Sequence, residues 1–186
     1  MDKSSFPCYN LSISYECGED TMPFSLLPGV IAESLTELTP GLLAQRGIRL
    51  LMLDFDNTIV PYTTDVPTGK MGSWLREMGE SEIRLCVVSN SRKDRVRRFC
   101  GEYGLDCITH AKKPFQNGIR ECLAKYGVPP SQAALAGDQI FTDTLGANCA
   151  GVLPILVKAI DNHNFWLKAR HVLELPFIFF ARKRRI

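Results

Sequence analysis

Seven cysteines, at 8, 17, 86, 100, 107, 122 and 149, include no pair with CxxC spacing. A zinc site or a thioredoxin-like motif of that spacing therefore has no support. Reduced thiols of an intracellular protein are expected instead, with Cys86, Cys107 and Cys149 as small core residues. No stretch approaches the ~20 apolar residues of a membrane span. No basic stretch leading into an apolar run opens the chain, so no secretory leader is expected and the expected location is cytoplasmic. Histidine is scarce: His110, His163 and His171 show no ligand spacing and are expected at the surface or as caps. The formal net charge of +2 names no polyanionic partner. Internal repeats and low-complexity segments are absent.

What is present is ordinary globular material, 45% hydrophobic and 23% charged. Residues 1–21 show no period and read as a loose N-terminal extension; Met22 opens "MPFSLLPG", which looks more like a natural start. Residues 22–160 read as the domain, and 161–186 as an amphipathic and basic C-terminal segment. Val30, Ile31, Leu35 and Leu38 recur at helical spacing. Thr39-Pro40 then marks a fresh helix start, and Gly47 its end. Arg49 to Phe55 is apolar continuously, as in a strand covered on both faces. Helices over 68–78, 92–103, 114–126 and 142–150 then alternate with strands over 84–90, 105–109, 133–137 and 152–157. Such alternation predicts a three-layer α/β/α, Rossmann-like fold with a mainly parallel sheet.

In open α/β sheets, ligands bind beyond the carboxyl ends of the strands. After the first predicted core strand come Asp54, Asp56 and Thr58; after the next come Ser89 and Asn90. Lys112 and Lys113 precede a helix start, and Asp138 and Asp143 follow the strand over 133–137. Three carboxylates, Asp54, Asp138 and Asp143, can hold Mg²⁺, which takes oxygen ligands. Lys113 adds a cation, and Ser89 and Asn90 can donate hydrogen bonds to the same phosphoryl oxygens. A carboxylate can act as the nucleophile and form an aspartyl-phosphate. A second carboxylate two residues on can protonate the leaving group and then activate water.

The stretches "DFDNTIV", "VVSNS", "AKKPF" and "AGDQIFTD" resemble the four ordered motifs of the haloacid dehalogenase (HAD) superfamily of phosphohydrolases, over about residues 48–157. The closer resemblance is to the subfamily IIIA, YqeG-type phosphatases. In those a "TP" helix precedes DxDNT and the fourth motif reads GDQxxTD. The resemblance implies that Asp54 is nucleophile and metal ligand. Asp56 would be the general acid/base, its backbone carbonyl contacting Mg²⁺. Ser89 and Asn90 would bind phosphoryl oxygens, with Thr58 supporting the motif and the substrate site. Lys113, directly before the proline, would neutralise charge, and Asp138 and Asp143 would complete the metal site. Relatives of this type in mitochondria dephosphorylate phosphatidylglycerophosphate.

About thirty residues separate Asp56 from Ser89 and about two dozen separate Ser89 from Lys113. Neither gap holds an extra domain of ~50 residues, so a capless enzyme with an open site is expected. An open site suits a phosphate on something large, such as a lipid head group. Phe165, Trp166, Ala169, Val172 and Leu173 share one helical face, "LPFIFF" follows, and Arg182, Lys183, Arg184 and Arg185 close the chain. These are ingredients of peripheral contact with anionic membrane at its inner face; the plainer alternative packs the helix on the sheet. A second basic run, Arg92, Lys93, Arg95, Arg97 and Arg98, would attract an anionic substrate or form a wet helix face. A phosphotransferase, or a non-catalytic module docking on nucleic acid or a partner protein, are the alternative functions. The intact acids argue against the module, and no nucleic acid is expected.

Overall fold

Leu50–Leu53 is buried at all four positions, so this strand needs cover above and below. In the computed structural model, which describes residues 24–91, 94–161 and 175–181, that cover is complete. Six strands form one parallel sheet: β1 (Val30–Ala32), β2 (Leu50–Leu53), β3 (Arg84–Val88), β4 (Asp106–Ile108), β5 (Ala133–Gly137) and β6 (Leu153–Val157). Their order is β1-β6-β5-β2-β3-β4. The helices are α1 (Pro40–Gln45), α2 (Gly69–Gly79), α3 (Asp94–Glu102), α4 (Asn117–Tyr126) and α5 (Leu145–Ala150). A further helix spans 175–181.

Alternation within β2 sends its side chains to two cores. Leu51 and Leu53 join Trp74, Leu75 and Met78 of α2 and Val96 and Phe99 of α3. Leu50 and Met52 join Ile119, Cys122 and Leu123 of α4 and Ala147 of α5. Each such leucine contributes about 1.5–3 kcal/mol by leaving water. The three-layer α/β/α expectation therefore holds. Thr39 caps α1 through Leu42 N–H, with Pro40 in its first turn, and Thr68 caps α2 through Met71 N–H. Gly47 ends the first helical segment at φ 70°. Trp74 Nε1 donates to Leu38 O at 2.9 Å, tying α2 to the segment before α1.

Three expectations need correction. Val30–Ala32 is an edge strand paired with β6 (Val30 against Ile155), not the start of a helix; only a 3₁₀ turn, Leu35–Glu37, follows. Three consecutive buried side chains satisfy a strand as well as a helix, and pairing with a distant strand decided the outcome. The helix expected over 142–150 opens instead as a π turn, Ile140–Thr144, before α5. Among the cysteines, Cys86 is buried as expected, but Cys107 and Cys149 are only partly so, and Cys100 and Cys122 take core positions. His110 is exposed, as expected. Residues 1–21, His163, the face over 165–173 with His171 inside that stretch, and the tail over 182–186 lie outside the described residues. No helix among the described residues is long and apolar enough to cross a membrane.

The sheet's centre has a consequence for function. The chain leaves β2 toward β3, but leaves β5 toward β6 on the other side. Connections that diverge in this way open a crevice at the strands' carboxyl ends. There the chain after β2 turns sharply, with a bridge between Asp56 and Val60. Asn57 sits in that turn at φ 66° and is fully buried. Its Nδ2 donates to Asp161 O at 2.7 Å, and its Oδ1 accepts from Asp161 N–H at 2.8 Å. Asparagine is among the few residues that tolerate this backbone region. Asn57→Ala should lose both bonds and cost about 2 kcal/mol, read as a lower urea midpoint at unchanged slope. A midpoint equal to that of the parent would contradict this.

Candidate active site

Asp54 is the first residue past β2, and its N–H still pairs with Ala136 O of β5 at 2.9 Å. The sheet itself thus fixes its position. Its carboxylate is almost wholly buried. Lys113, 4% exposed, reaches it with Nζ 2.7 Å from Oδ1, and lies equally 2.7 Å from Asp143 Oδ1. Lys112, by contrast, is exposed. Asp143 Oδ2 accepts from Gln139 N–H at 3.1 Å. A Cβ on Gly137 would overlap the Asp143 carboxylate, so glycine at the end of β5 makes room for that acid. Thr58 Oγ1 lies 3.4 Å from Asp54 Oδ2 and 3.5 Å from Asp138 Oδ1. Its hydroxyl therefore braces two acids; it is not among the residues lining the cavity.

Ser89 is buried, and its Oγ accepts from Ser91 N–H at 3.0 Å, so its own O–H can turn toward an anion. Asn90 behaves differently from expectation. Its Oδ1 accepts from Lys113 N–H at 2.6 Å, and its Nδ2 donates to Lys113 O at 2.9 Å. The side chain clamps the lysine backbone at two points. A small cavity of about 140 Å³ is lined by Asp54, Asp56, Ser89, Asn90, Lys113, Tyr62 and Thr142, among others. Asp56 stands at its edge, with Oδ1 3.3 Å from Arg95 Nη1. In the sequence Arg95 is only one member of a basic run, and nothing there marks Tyr62. A much larger groove, about 1540 Å³, opens at the opposite ends of the strands, near Arg49, Arg84 and Tyr126. It holds none of the predicted site residues, so the small cavity is the centre of interest.

The charges at the centre do not balance. Asp54, Asp138 and Asp143 each place an oxygen within 4.8 Å of the others, all buried. Lys113 is the cation that pairs with two of them, so three carboxylates against one ammonium leave two negative charges in excess. Burial pushes Asp54 up, to about 6; Lys113 opposes that, while Asp143 and Asp56 add to it. Burial alone would lower Lys113, but Asp143 and Asp54 outweigh it and hold the ammonium charged, above its usual range. An all-oxygen donor set with two surplus negative charges fits a hard divalent cation such as Mg²⁺.

Fold and site together suit a hydrolase of phosphate esters, its acids and lysine gathered at the carboxyl ends of a parallel sheet. Residues 110–163 match the HAD-hydrolase-like family model. The "Probable phosphatase YqeG" of Bacillus subtilis (strain 168) is 30% identical over 134 residues, 72% of this chain and 78% of that one. An uncharacterized protein from Listeria monocytogenes serotype 4b shares the fold with a TM-score of 0.51 at 16% identity, covering 63% of this chain and 84% of that one. Another uncharacterized protein, from Corynebacterium glutamicum, does so at 0.50 and 14% identity, covering 71% and 96%. The chain belongs to the HAD superfamily, among its YqeG-type members, and is a phosphoric monoester hydrolase.

Metal binding needs ionised carboxylates, so protons and cation compete. Asp54, raised to about 6, carries its proton below that pH and would then offer a cation no anionic oxygen. Millimolar Mg²⁺ should therefore raise the melting temperature at pH 7.5, and this shift should shrink toward pH 5. Equal shifts at both pH values would show that Asp54 is not a ligand.

Proposed function

We propose that the chain hydrolyses phosphomonoesters with Mg²⁺, through an aspartyl-phosphate on Asp54. The observation that carries this is the buried cluster of Asp54, Asp138 and Asp143 at the diverging centre of the sheet, with Asp54 and Asp143 both paired to the ammonium of Lys113. An Asp54 oxygen attacks phosphorus, forming a P–O bond as the bond to the leaving alcohol breaks. Asp56 gives that alcohol its proton, then takes one from the water that attacks the aspartyl-phosphate. Inorganic phosphate leaves and Asp54 is restored. Asp54, Asp138, Asp143 and the Asp56 backbone carbonyl would hold the cation. When bound, it would offset repulsion between anionic nucleophile and anionic ester. Lys113, oriented by Asn90, shields the same charge from the other side, while the Ser89 hydroxyl meets a phosphoryl oxygen. Preorganised groups of this kind act without reorganisation cost during reaction.

The site is shallow. At about 140 Å³, its cavity suits little beyond a phosphoryl group, against ~300–1,000 Å³ for pockets that enclose small molecules. The joins from β2 to α2 and from β3 to α4 carry no inserted domain. The rest of the substrate therefore stays outside, which favours a phosphate presented by something large. A lipid head group suits this, and phosphatidylglycerophosphate is the first specific candidate. Exposed Phe115 stands two residues past Lys113. The helix at 175–181 packs against Ile140 through Phe177, Ile178 and Ala181, leaving Phe179 and Phe180 exposed before the basic tail. Apolar rings beside cationic residues suit peripheral docking on anionic lipid.

Phosphate release decides the chemistry. Substrates would be p-nitrophenyl phosphate, glycerol 3-phosphate and phosphatidylglycerophosphate in vesicles, each with Mg²⁺ and with EDTA. Release should need the metal, and Asp54→Asn should abolish it while melting as a folded protein. Activity retained in that variant would exclude the covalent route. For the surface, the protein should sediment with phosphatidylglycerol vesicles at low salt. Glutamine at 182, 183, 184 and 185 should sharply weaken that. Sedimentation indifferent to the four changes would assign binding elsewhere.

A further inference from the structure

Arg95 stands apart from the other described basic residues of α3. Arg97 is exposed, and the Arg98 side chain is 73% exposed, as solvated helix residues are. The Arg95 side chain is only 10% exposed and folds back under the loop that follows the Asp56 turn. Its Nη1 donates to Tyr62 O at 3.3 Å, and its Nη2 donates to Pro61 O at 3.3 Å and Thr64 O at 3.0 Å. Its Nε pairs with Asp65 Oδ1 at 2.7 Å, and its Nη1 with Asp56 Oδ1 at 3.3 Å. The guanidinium also lies over the Phe55 ring, 5.2 Å from its centroid. Three carbonyls, two carboxylates and a ring thus hold one planar group. A planar fork of fixed donors reaches the three carbonyls by hydrogen bonds and the two carboxylates as ion pairs at the same time; a lysine's single ammonium cannot.

We propose that Arg95 is the positioning residue of this enzyme: it fixes the Asp56 carboxylate and the rim loop bearing Tyr62 in one arrangement over the reacting phosphate. The proposal rests on the phosphomonoesterase reading. Its content is geometric. Asp56 is the partly exposed acid of the site, and a carboxylate that must meet the leaving oxygen has to be held within hydrogen-bond reach of it. The sheet holds Asp54 from behind; Asp56, beyond the turn, is held by Arg95 from α3. Tyr62, whose carbonyl the same guanidinium grips, lines the cavity where the alcohol departs.

The test separates this from mere stabilisation. An alkyl phosphate needs a proton on its leaving oxygen as the P–O bond breaks, whereas p-nitrophenolate leaves without one. In Arg95→Gln, kcat/KM for whichever alkyl ester of the panel the parent turns over best should fall about tenfold or more, while that for p-nitrophenyl phosphate changes less than about threefold. Asp65→Asn, which loosens the guanidinium without touching Asp56, should show the same selectivity to a lesser degree, and it carries the test if Arg95→Gln does not fold. In an Asp56→Asn background, Arg95→Gln should add little further selective loss, because its effect passes through Asp56. Equal losses toward both esters, or none, would overturn the positioning role while leaving the phosphatase in place. A parent inactive toward every ester would overturn the phosphatase reading, and this one with it.

Discussion

One ammonium held between two buried carboxylates governs this structure. Lys113 lies 2.7 Å from both Asp54 and Asp143, with almost no water around any of the three. Buried ion pairs seldom stabilise a fold, because desolvation rivals the attraction between the charges. Removing one partner, however, leaves an uncompensated charge in a dry site. The triad is better understood as a device for holding the carboxylates in register. Its cost is carried by the two apolar layers, where β2 alone buries four side chains. Asp138 joins the cluster, with the Thr58 hydroxyl between it and Asp54, and the negative excess that results is what a cation would offset there.

The topology explains why this excess can be assembled at all. Asp54 leaves β2 and Asp138 leaves β5, neighbouring strands whose onward connections run to opposite sides. Carboxylates from separate parts of the chain therefore meet without either connection crossing the site. Lys113 comes from the approach to α4, its backbone gripped by Asn90 at the end of β3. Three crossovers thus supply the cluster, the last of them both Asp138 and Asp143, and each is anchored by a strand end or by a hydrogen bond to one.

Much of this was legible in the sequence, for a physical reason. Buried parallel strands are continuous apolar runs, so an acid directly after one stands out, as Asp54 and Asp138 do. The lysine before proline and the serine after a strand stand out equally. What escaped was tertiary in origin. Val30–Ala32 satisfies a helical period locally, and only its pairing with β6 makes it a strand. Asn90 belongs to a phosphate-binding pattern, but its carboxamide faces the Lys113 backbone, which no spacing reveals. Arg95 is one of five basic residues in a short stretch, and nothing local separates it, turned inward, from Arg97 and Arg98, which face water. Asn57 sits inside a recognisable motif, yet its bonds to Asp161 link positions far apart in the chain.

The absence of an inserted domain between β2 and α2 shifts the burden of selectivity. Enzymes that close a lid over their substrate exclude water and commit the substrate by that motion. Here one wall of the cavity is the short loop around Tyr62, and three of its carbonyls accept from Arg95. A loop held from beneath by a guanidinium that is itself stacked on Phe55 is poorly suited to swing over a ligand. It is suited to be a fixed wall. Discrimination then has to come from the shape and chemistry of that wall, and from what surface the whole molecule rests on. On the proposed reading, a site too shallow to enclose an alcohol relies on the substrate's own surroundings to exclude water. An ester embedded in a larger assembly supplies them, and a free small one does not.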